Sequence, residues 1–225
     1  MRPLKTIVVV SLYNRYANLE RWVHAWNLCE KENAKLFIVN NVDEGTDCSY
    51  WIEYCEERGV SFVERQNIGF ETGIIQDVCY GRMFAEQNWD YLIFATDDTI
   101  PMKKDFVSRF TKPIIDSDNG CITFIEMSGV FTPHIRTSGF CIDRETSKRL
   151  EFPSFQIEFK EDCYDFEHQG GEDTFLAQIL KMEKIPVQLG HIRRSCMWDT
   201  DHRISYHRWK EWNEEFPGYI NTNKL

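Results

Sequence analysis

Short extended segments alternate with amphipathic helical segments through the first 115 residues, and this alternation constrains the fold more than any other feature. The apolar runs that predict buried strands lie at 6–12, 36–39, 60–63 and 91–95. The segments with helical periodicity lie at 19–29, 49–57, 68–86 and 106–115. Strands separated by single helices are typical of a parallel α/β sheet.

The pattern changes after Gly120. Residues 121–125 and 139–142 look extended, 154–169 is irregular and acidic, and 172–182 has helical periodicity. No low-complexity linker or repeat interrupts the chain. We therefore expect one α/β domain over residues 1–225 in which the second half departs from the parallel pattern.

Two adjacent carboxylates, Asp97 and Asp98, directly follow the apolar strand that begins at Tyr91. Aspartate disfavours strands and is costly to bury unpaired, so carboxylates at the carboxyl edge of a sheet indicate a divalent metal or a ligand crevice. Taken alone, the pair is equally compatible with a solvated turn or a cap of the helix near Phe106.

The composition is that of a globular protein whose cysteines are reduced. With 225 residues, 42% of them apolar, the chain can fill a sizeable core. Its eight cysteines form no C-x-x-C pair, which favours reduced thiols over a disulfide framework. No signal peptide or membrane-spanning run is found, so we expect a soluble, cytoplasmic protein, with peripheral membrane association left open.

The charge is acidic overall and basic near the C-terminus. A formal net charge of -10 argues against a general surface for polyanions. The basic residues of the tail are Arg193, Arg194, Arg203 and Arg208, with His202 and His207. The aromatic residues interleaved with them, which favour packing against the domain, are Trp198, Tyr206, Trp209, Trp212 and Phe216.

Several segments, each unspecific alone, stand in a characteristic order. They are 8–15, 37–41, 65–70, 96–98, Gly139, 171–173 and His191. Together they resemble the nucleotide-sugar glycosyltransferases of the GT-A fold, particularly family 2, over roughly residues 5 to 195. The resemblance implies a single Rossmann-like three-layer α/β/α domain with a mixed central sheet. Its parts would be a nucleotide-sugar-binding half (1–119), an acceptor and catalytic half (120–195) and a C-terminal tail (196–225).

The resemblance also implies a donor site. The residues that would bind the nucleotide-sugar, for which a UDP-sugar is favoured, are Ser11, Tyr13, Asn14, Asn40, Arg65, Asn67, Gly69, Asp97 and Gly139. Alternatives remain for several of them. Asn67 and Gly69 could be a turn signal only, and Arg65 could merely place a charge at a strand end.

A divalent metal, Mn²⁺ or Mg²⁺, is the implied cofactor. Breaking a sugar–phosphate bond adds negative charge to the leaving oxygen, which a cation must stabilise. By the resemblance, Asp98 would be the first ligand and His191 the second, with Asp97 at the ribose or in a water-mediated contact. Thr96 stands where a strict D-x-D motif has its first acid. His191 could instead be a structural donor at a strand end.

Glu172 and Asp173 follow Gly170–Gly171 and could simply complement a helix dipole. By the resemblance, Asp173 would be the base that deprotonates the acceptor hydroxyl, and Glu172 would orient the acceptor or the loop. A single displacement by the activated hydroxyl would invert the anomeric centre.

The expected function is therefore transfer of a hexosyl or similar sugar to a hydroxyl acceptor such as a glycan. The acidic balance disfavours a nucleic-acid acceptor. Two alternatives stay open: a nucleotidylyltransferase, and a catalytically inactive module that binds a carbohydrate or a partner. Slow hydrolysis of a nucleotide-sugar would exclude the inactive module.

Overall fold

The computed structural model describes residues 3–117, 122–124, 139–152, 187–188, 197–199 and 206–220. Residues 122–124, 187–188, 198–199 and 206–207 are described through their backbone only. The strands are β1 (Thr6–Leu12), β2 (Ala34–Val42), β3 (Ser61–Gln66), β4 (Tyr91–Thr96), β5 (Thr99–Pro101), β6 (Ile122–Phe124), β7 (Gly139–Asp143), β8 (Val187–Gln188) and β9 (Met197–Asp199). The helices are α1 (Tyr16–Leu28), α2 (Ser49–Glu56), α3 (Phe70–Cys79), α4 (Phe106–Ile115), α5 (Arg144–Ser147) and α6 (Tyr206–Glu215).

The main sheet is mixed, as the sequence predicts. Its strand order is β3-β2-β1-β4-β7-β6-β8. The first four strands in this order are parallel, whereas β7 runs antiparallel to both β4 and β6. The chain thus leaves β1 toward β2 on one side and reaches β4 on the other side, so its strand order reverses between β1 and β4.

Alternate residues of the central strands face two separate cores, which gives the domain three layers. Val8 and Val10 of β1 pack with residues of α1, α4 and α6. Ile7 and Val9 pack on the opposite face with residues of α3. The near-continuous apolar runs in these strands follow from burial on both faces.

The predicted helix over 68–86 is shorter than the sequence pattern indicates. It begins after Gly69, which has a φ of 73°, and ends at Cys79. Gly81 has a φ of 70°, and its N–H donates to the carbonyl of Val78 at 3.1 Å. A left-handed glycine just beyond a helix is a common helix stop. A 3₁₀ turn at Ala85–Gln87 follows. The predicted segments 154–169 and 172–182 lie outside the described residues.

The C-terminal helix packs into the core through Trp209, Trp212 and Phe216, as predicted, whereas the side chains of Trp198 and Tyr206 lie outside those described. Trp212 and Phe216 are fully buried in the same core as α1 and α4. The indole Nε1 of Trp212 donates to the carbonyl of Pro101 at 3.0 Å. This hydrogen bond fixes α6 against β5, which directly follows the acid pair.

The five cysteines within the described part of the chain are buried free thiols. Burial raises the pKa of Cys29, Cys55 and Cys79 to about 12. These three thiols are therefore protonated at neutral pH, and a protonated thiol is a poor nucleophile. Among the described residues, no helix has the length and apolar character to cross a membrane.

Candidate functional site

The acid pair lies where the strand order reverses. Ser11 of β1 is in register with Thr96 of β4. The backbone N–H of Asp97 donates to the carbonyl of Ser11 at 2.9 Å, so the chain leaving β4 stays beside the end of β1. In open α/β sheets, ligands bind outside the carboxyl ends of the strands at this reversal point. Asp97, Asp98 and the loop 13–15 all lie there.

Asp98 is held by two hydroxyl groups and one guanidinium. Its Oδ1 accepts from Thr96 Oγ1 at 2.6 Å and from Thr99 Oγ1 at 3.4 Å. Its Oδ2 lies 3.4 Å from Nη1 of Arg15. The side chain of Asp98 is 18% exposed and that of Arg15 is 51% exposed. The carboxylate is therefore oriented from the strand side and has a cation on the loop side.

Asp97 is more deeply placed. Its side chain is buried, and its Oδ2 accepts from Asn18 Nδ2 at 3.2 Å. Asn18 lies in the first turn of α1 and is itself buried. The two acids thus have different surroundings: an amide donor orients Asp97, whereas hydroxyls and a guanidinium surround Asp98.

The loop after β1 is exposed and sharply turned. Asn14 has a φ of 56°, a left-handed conformation that asparagine tolerates better than most residues. The hydroxyl of Tyr13 donates to Asp43 Oδ2 at 2.9 Å, and this bond raises the pKa of Tyr13. Asp43 follows β2, so the contact joins the ends of β1 and β2 beside the crevice.

The side chain of Asn40 is enclosed by protein groups and has no exposed surface. Its side chain is fully buried, and its Nδ2 lies 3.4 Å from both Tyr16 Oη and Cys48 Sγ. Tyr16 stacks on Trp51 with ring centroids 4.5 Å apart. Asn40 is therefore enclosed near the carboxyl end of β2, and its contact with a nucleotide base stays a prediction.

Arg65 is also enclosed by protein groups. Its Nε donates to Asp77 Oδ2 at 2.8 Å, and its Nη1 donates to Asn41 Oδ1 at 3.1 Å. The guanidinium thereby ties β3 to α3 and β2. Gly73 makes room for it, since a Cβ at that position would lie 2.6 Å from Arg65 Nη2. This geometry supports a bracing role for Arg65 at the strand ends.

The turn after β3 carries Asn67 and Gly69. The N–H of Asn67 donates to the carbonyl of Val42 at 3.3 Å. Its Oδ1 is buried and has no hydrogen-bond partner among the described residues. Gly69 adopts a left-handed conformation at the start of α3, which a side chain would strain. The turn signal in the sequence is thus real, and the buried acceptor adds a feature that turn chemistry alone does not require.

The remaining predicted residues divide into one that the structure describes and three that it does not. Gly139 begins β7 and pairs with Ala95 of β4, two residues before the acid pair. Glu172, Asp173 and His191 lie outside the described residues. The assignments of Glu172 as acceptor-orienting residue, Asp173 as base and His191 as metal ligand stay predictions.

Asn18 is the clearest residue that the sequence reasoning missed. Asn18 lies just before the predicted helix at 19–29 and 79 positions before its carboxylate partner, so the sequence gives no signal for this contact. Thr96 occupies the position of the first acid in a strict D-x-D motif, and its hydroxyl orients Asp98. Arg15 lies in the segment 8–15, but its sequence position does not predict the contact with Asp98. Its place in the loop that follows β1 is the one signal that could have indicated this contact.

The donor set can be compared with what a divalent metal needs. Within the described residues, no group of three or more histidine, cysteine or carboxylate side chains could hold an ion. Asp98, oriented by Thr96 and facing the cation of Arg15, supplies one suitable carboxylate. Mg²⁺ is commonly bound by one or two carboxylates together with substrate phosphates. The residues present fit a metal held jointly with a diphosphate.

The sequence matches no protein-family model, and no curated protein matches it. Solved structures do match its fold. A mannosyltransferase from Pyrobaculum calidifontis, determined with GDP-Man and Mn²⁺, aligns with a TM-score of 0.60 at 13% identity, over 93% of this chain and 61% of its own. Staphylococcus aureus TarS aligns with a TM-score of 0.57 at 13% identity, over 92% of this chain and 38% of its own.

Glucosyl-3-phosphoglycerate synthase from Mycobacterium tuberculosis aligns with a TM-score of 0.56 at 14% identity, over 83% of this chain and 70% of its own. The chain has a GT-A-like fold. This confirms the resemblance at the level of architecture. The chain spans less than two thirds of the length of the first two proteins. The GT-A-like fold places the acid pair at the reversal point of the sheet.

Proposed function

We propose that this chain transfers a sugar from a nucleotide-diphosphate-sugar to a hydroxyl acceptor, with a divalent metal and with inversion. One observation carries the proposal: Asp97 and Asp98 stand at the reversal point of a GT-A-like sheet, beside the loop that follows β1. The nearby guanidinium of Arg15 adds a positive charge at the same place. A crevice with an oriented carboxylate and a cation suits a metal-bridged diphosphate.

The donor would lie across the carboxyl ends of β1, β2 and β3. The buried Oδ1 of Asn67 has no donor among the described residues, which supports this placement, because a buried acceptor without a donor is costly. A ribose hydroxyl, a base N–H or a bound water would satisfy it. A UDP-sugar remains our favoured donor. The Pyrobaculum mannosyltransferase was determined with GDP-Man, so both nucleotides belong in the first test.

Asp98 and His191 would hold the metal together with the donor diphosphate. When bound, a divalent ion would neutralise charge on the leaving diphosphate. The hydroxyl of Thr96 donates to the Asp98 carboxylate and would hold it in one orientation. Asp97 would contact the ribose, directly or through water, from the position that Asn18 gives it.

Asp173 would take the proton of the acceptor hydroxyl as its oxygen forms a bond to the anomeric carbon. The bond from that carbon to the diphosphate oxygen breaks, and the nucleoside diphosphate leaves with the electron pair. Attack from the opposite side inverts the anomeric centre. Glu172 would orient the acceptor, for which a glycan hydroxyl is our proposal.

A thermal-shift screen of UDP-, GDP-, dTDP- and CMP-sugars, each with and without Mn²⁺, tests the proposal. A ligand that binds only the native state raises the melting temperature. We expect one nucleotide class to raise it with Mn²⁺ and to have a smaller effect without Mn²⁺. The absence of any shift at millimolar donor and Mn²⁺ would contradict the proposed function. Release of nucleoside diphosphate by the shifting donor would then exclude an inactive binding module.

A further inference from the structure

A chain of three contacts connects the acid pair to the C-terminal helix. Asn18 Nδ2 donates to Asp97 Oδ2 at 3.2 Å. Arg21 Nη1, one turn along α1, donates to Asn18 Oδ1 at 2.7 Å. The guanidinium carbon of Arg21 lies 4.8 Å from the ring centroid of Trp209 on α6. Three separate elements, α6, α1 and the end of β4, therefore meet through neighbouring side chains.

The direction of these hydrogen bonds is fixed by chemistry. A guanidinium can only donate and an ionised carboxylate can only accept. The amide of Asn18 must therefore turn its oxygen to Arg21 and its nitrogen to Asp97. This requirement assigns the amide orientation without ambiguity. Among side chains of this size, only an amide offers an acceptor and a donor in this arrangement.

Burial makes the contact between Asn18 and Asp97 consequential. Asn18 is 5% exposed and Asp97 is 7% exposed. Hydrogen bonds to charged groups are stronger than neutral ones, and a buried polar group that loses its partner incurs a desolvation cost. Rotation of the Asp97 carboxylate away from Asn18 is thereby opposed, and its orientation is fixed.

We propose that Asn18 is a positioning residue for Asp97, and that Arg21 and Trp209 couple the docking of α6 to the same carboxylate. The effect on donor binding rests on the proposed function, because it requires Asp97 to contact the donor. The contacts themselves do not rest on it. Their consequences for stability can be measured without any ligand.

Exchange of the two side chains tests the central contact. Asn18→Asp alone sets two carboxylates against each other, so we expect a lower melting temperature. The double variant N18D/D97N restores one amide and one carboxylate in reversed order, and Arg21 keeps an acceptor. We expect it to recover most of the melting-temperature loss. A double variant that is no more stable than N18D would show that the contact between residues 18 and 97 does not stabilise the protein.

The affinity for the donor distinguishes a positioning role of Asn18 from a role in packing alone. The exchanged variant N18D/D97N has its carboxylate on α1, so its donor affinity should stay low although its stability returns. Asn18→Leu keeps the side-chain size but removes both hydrogen bonds. By calorimetry with Mn²⁺ and the donor from the screen, we expect about tenfold weaker binding in N18L. Asn27, which is exposed on the same helix, provides the matched control N27L, with unchanged binding expected.

A substitution on α6 tests the last of the three contacts, between Arg21 and Trp209. Trp209→Leu removes the aromatic face from Arg21, and we expect severalfold weaker donor binding with the fold retained by circular dichroism. Lys210→Ala, at the exposed neighbouring position, should bind as wild type does. Wild-type affinity in both N18L and W209L would overturn the proposal. If the wild-type protein binds no nucleotide-sugar, the proposed function fails, and the exchange experiment alone still decides the contact.

Discussion

Thr96 Oγ1 lies 2.6 Å from Asp98 Oδ1, so the residue in the first place of the acidic motif serves the carboxylate in its last place. A threonine here does not supply a second carboxylate. It supplies a hydrogen bond that selects one orientation of Asp98. Sequence variants of the motif that keep a hydroxyl at this position are therefore expected to retain an oriented carboxylate.

Replacement of that hydroxyl is the first prediction. Thr96→Val keeps the branched shape and removes the donor to Asp98 Oδ1. We expect the dissociation constant for donor plus Mn²⁺, measured by calorimetry, to rise about tenfold, since hydrogen bonds to charged groups are among the stronger ones. Thr111→Val is the control for loss of a threonine hydroxyl elsewhere, because Thr111 is buried on α4 and its hydroxyl donates to the backbone carbonyl of Val107 at 3.1 Å. Equal affinity in the two variants would show that Asp98 needs no help from Thr96.

Asp98 itself should be indispensable for metal-dependent binding. Asp98→Ala removes the carboxylate that Thr96, Thr99 and Arg15 surround. We expect Mn²⁺-dependent donor binding to be lost, with the circular dichroism spectrum unchanged. Asp116→Ala, at an exposed carboxylate, should bind as wild type does. An unaltered calorimetric affinity for donor and Mn²⁺ in D98A would remove Asp98 from the metal site.

A substitution of Asp173 distinguishes a catalytic role of this residue from a structural one. Asp173→Asn keeps the shape of the side chain but cannot accept the acceptor's proton. We expect turnover to fall by about 10² to 10⁴ while the donor dissociation constant stays nearly unchanged. A loss below about tenfold would leave Asp173 as a first-turn acid with a helix-dipole contribution of about 0.3 to 1 kcal/mol. A joint loss of turnover and donor affinity would place Asp173 in the donor site instead.

Glu215 should make the docking of α6 depend on pH. Burial alone would raise its pKa, but the Lys104 N–H at 3.0 Å and the Lys103 ammonium at 3.1 Å lower the pKa below its ordinary value. A carboxylate with a lowered folded-state pKa contributes stability above its unfolded value, about 4.3, and loses it as pH falls through the folded value.

We expect Glu215→Gln to cost about 0.5 to 1 kcal/mol in the free energy of unfolding at pH 7, since both partners are partly exposed. In urea titrations the difference between the variants should shrink as the pH falls below about 4. Glu214→Gln provides a control at the adjacent, exposed position. A difference that persists unchanged at low pH would assign the effect of Glu215 to packing.

Gly73 should tolerate no side chain. A Cβ at this position would lie 2.0 Å from the carbonyl oxygen of Ile68 as well as against Arg65. Because a backbone atom cannot yield as a flexible side chain can, we expect Gly73→Ala to destabilise the protein by about 3 kcal/mol, at the upper end of overpacking costs. An unfolding midpoint equal to that of the wild type would contradict this close approach.

Strands β1 and β4 could be predicted closely because their signal is local, whereas β2 and β3 end three residues beyond their predicted ends. β1 spans the predicted residues, and β4 exceeds its prediction by only Thr96. A strand buried on both faces must be apolar almost throughout, so its ends are visible in the sequence. The helix predicted over 68–86 was too long because apolar periodicity continues past Gly81, where the backbone turns left-handed.

The partners of polar side chains could not be predicted in the same way. Arg65 could equally have faced a phosphate, and only the tertiary structure places it against Asp77. Asn18 and Asp97 lie on different elements, and their meeting depends on how α1 packs against the sheet. The location of the acid pair is a property of one strand end, whereas its orientation depends on several elements at once.

The small ribbon formed by β5 and β9 determines when the site can be completed during synthesis. Thr99 pairs with Asp199 and Pro101 with Met197, so the residues directly after Asp98 have their strand partner 96 to 100 positions further along the chain. A ribosome would have to release residues 197–199 before this pairing could form. Contacts between distant segments also slow folding, because the intervening loop must first close. The nascent chain would thus build β1 to β4 early and complete the surroundings of the acid pair only after β9 has emerged.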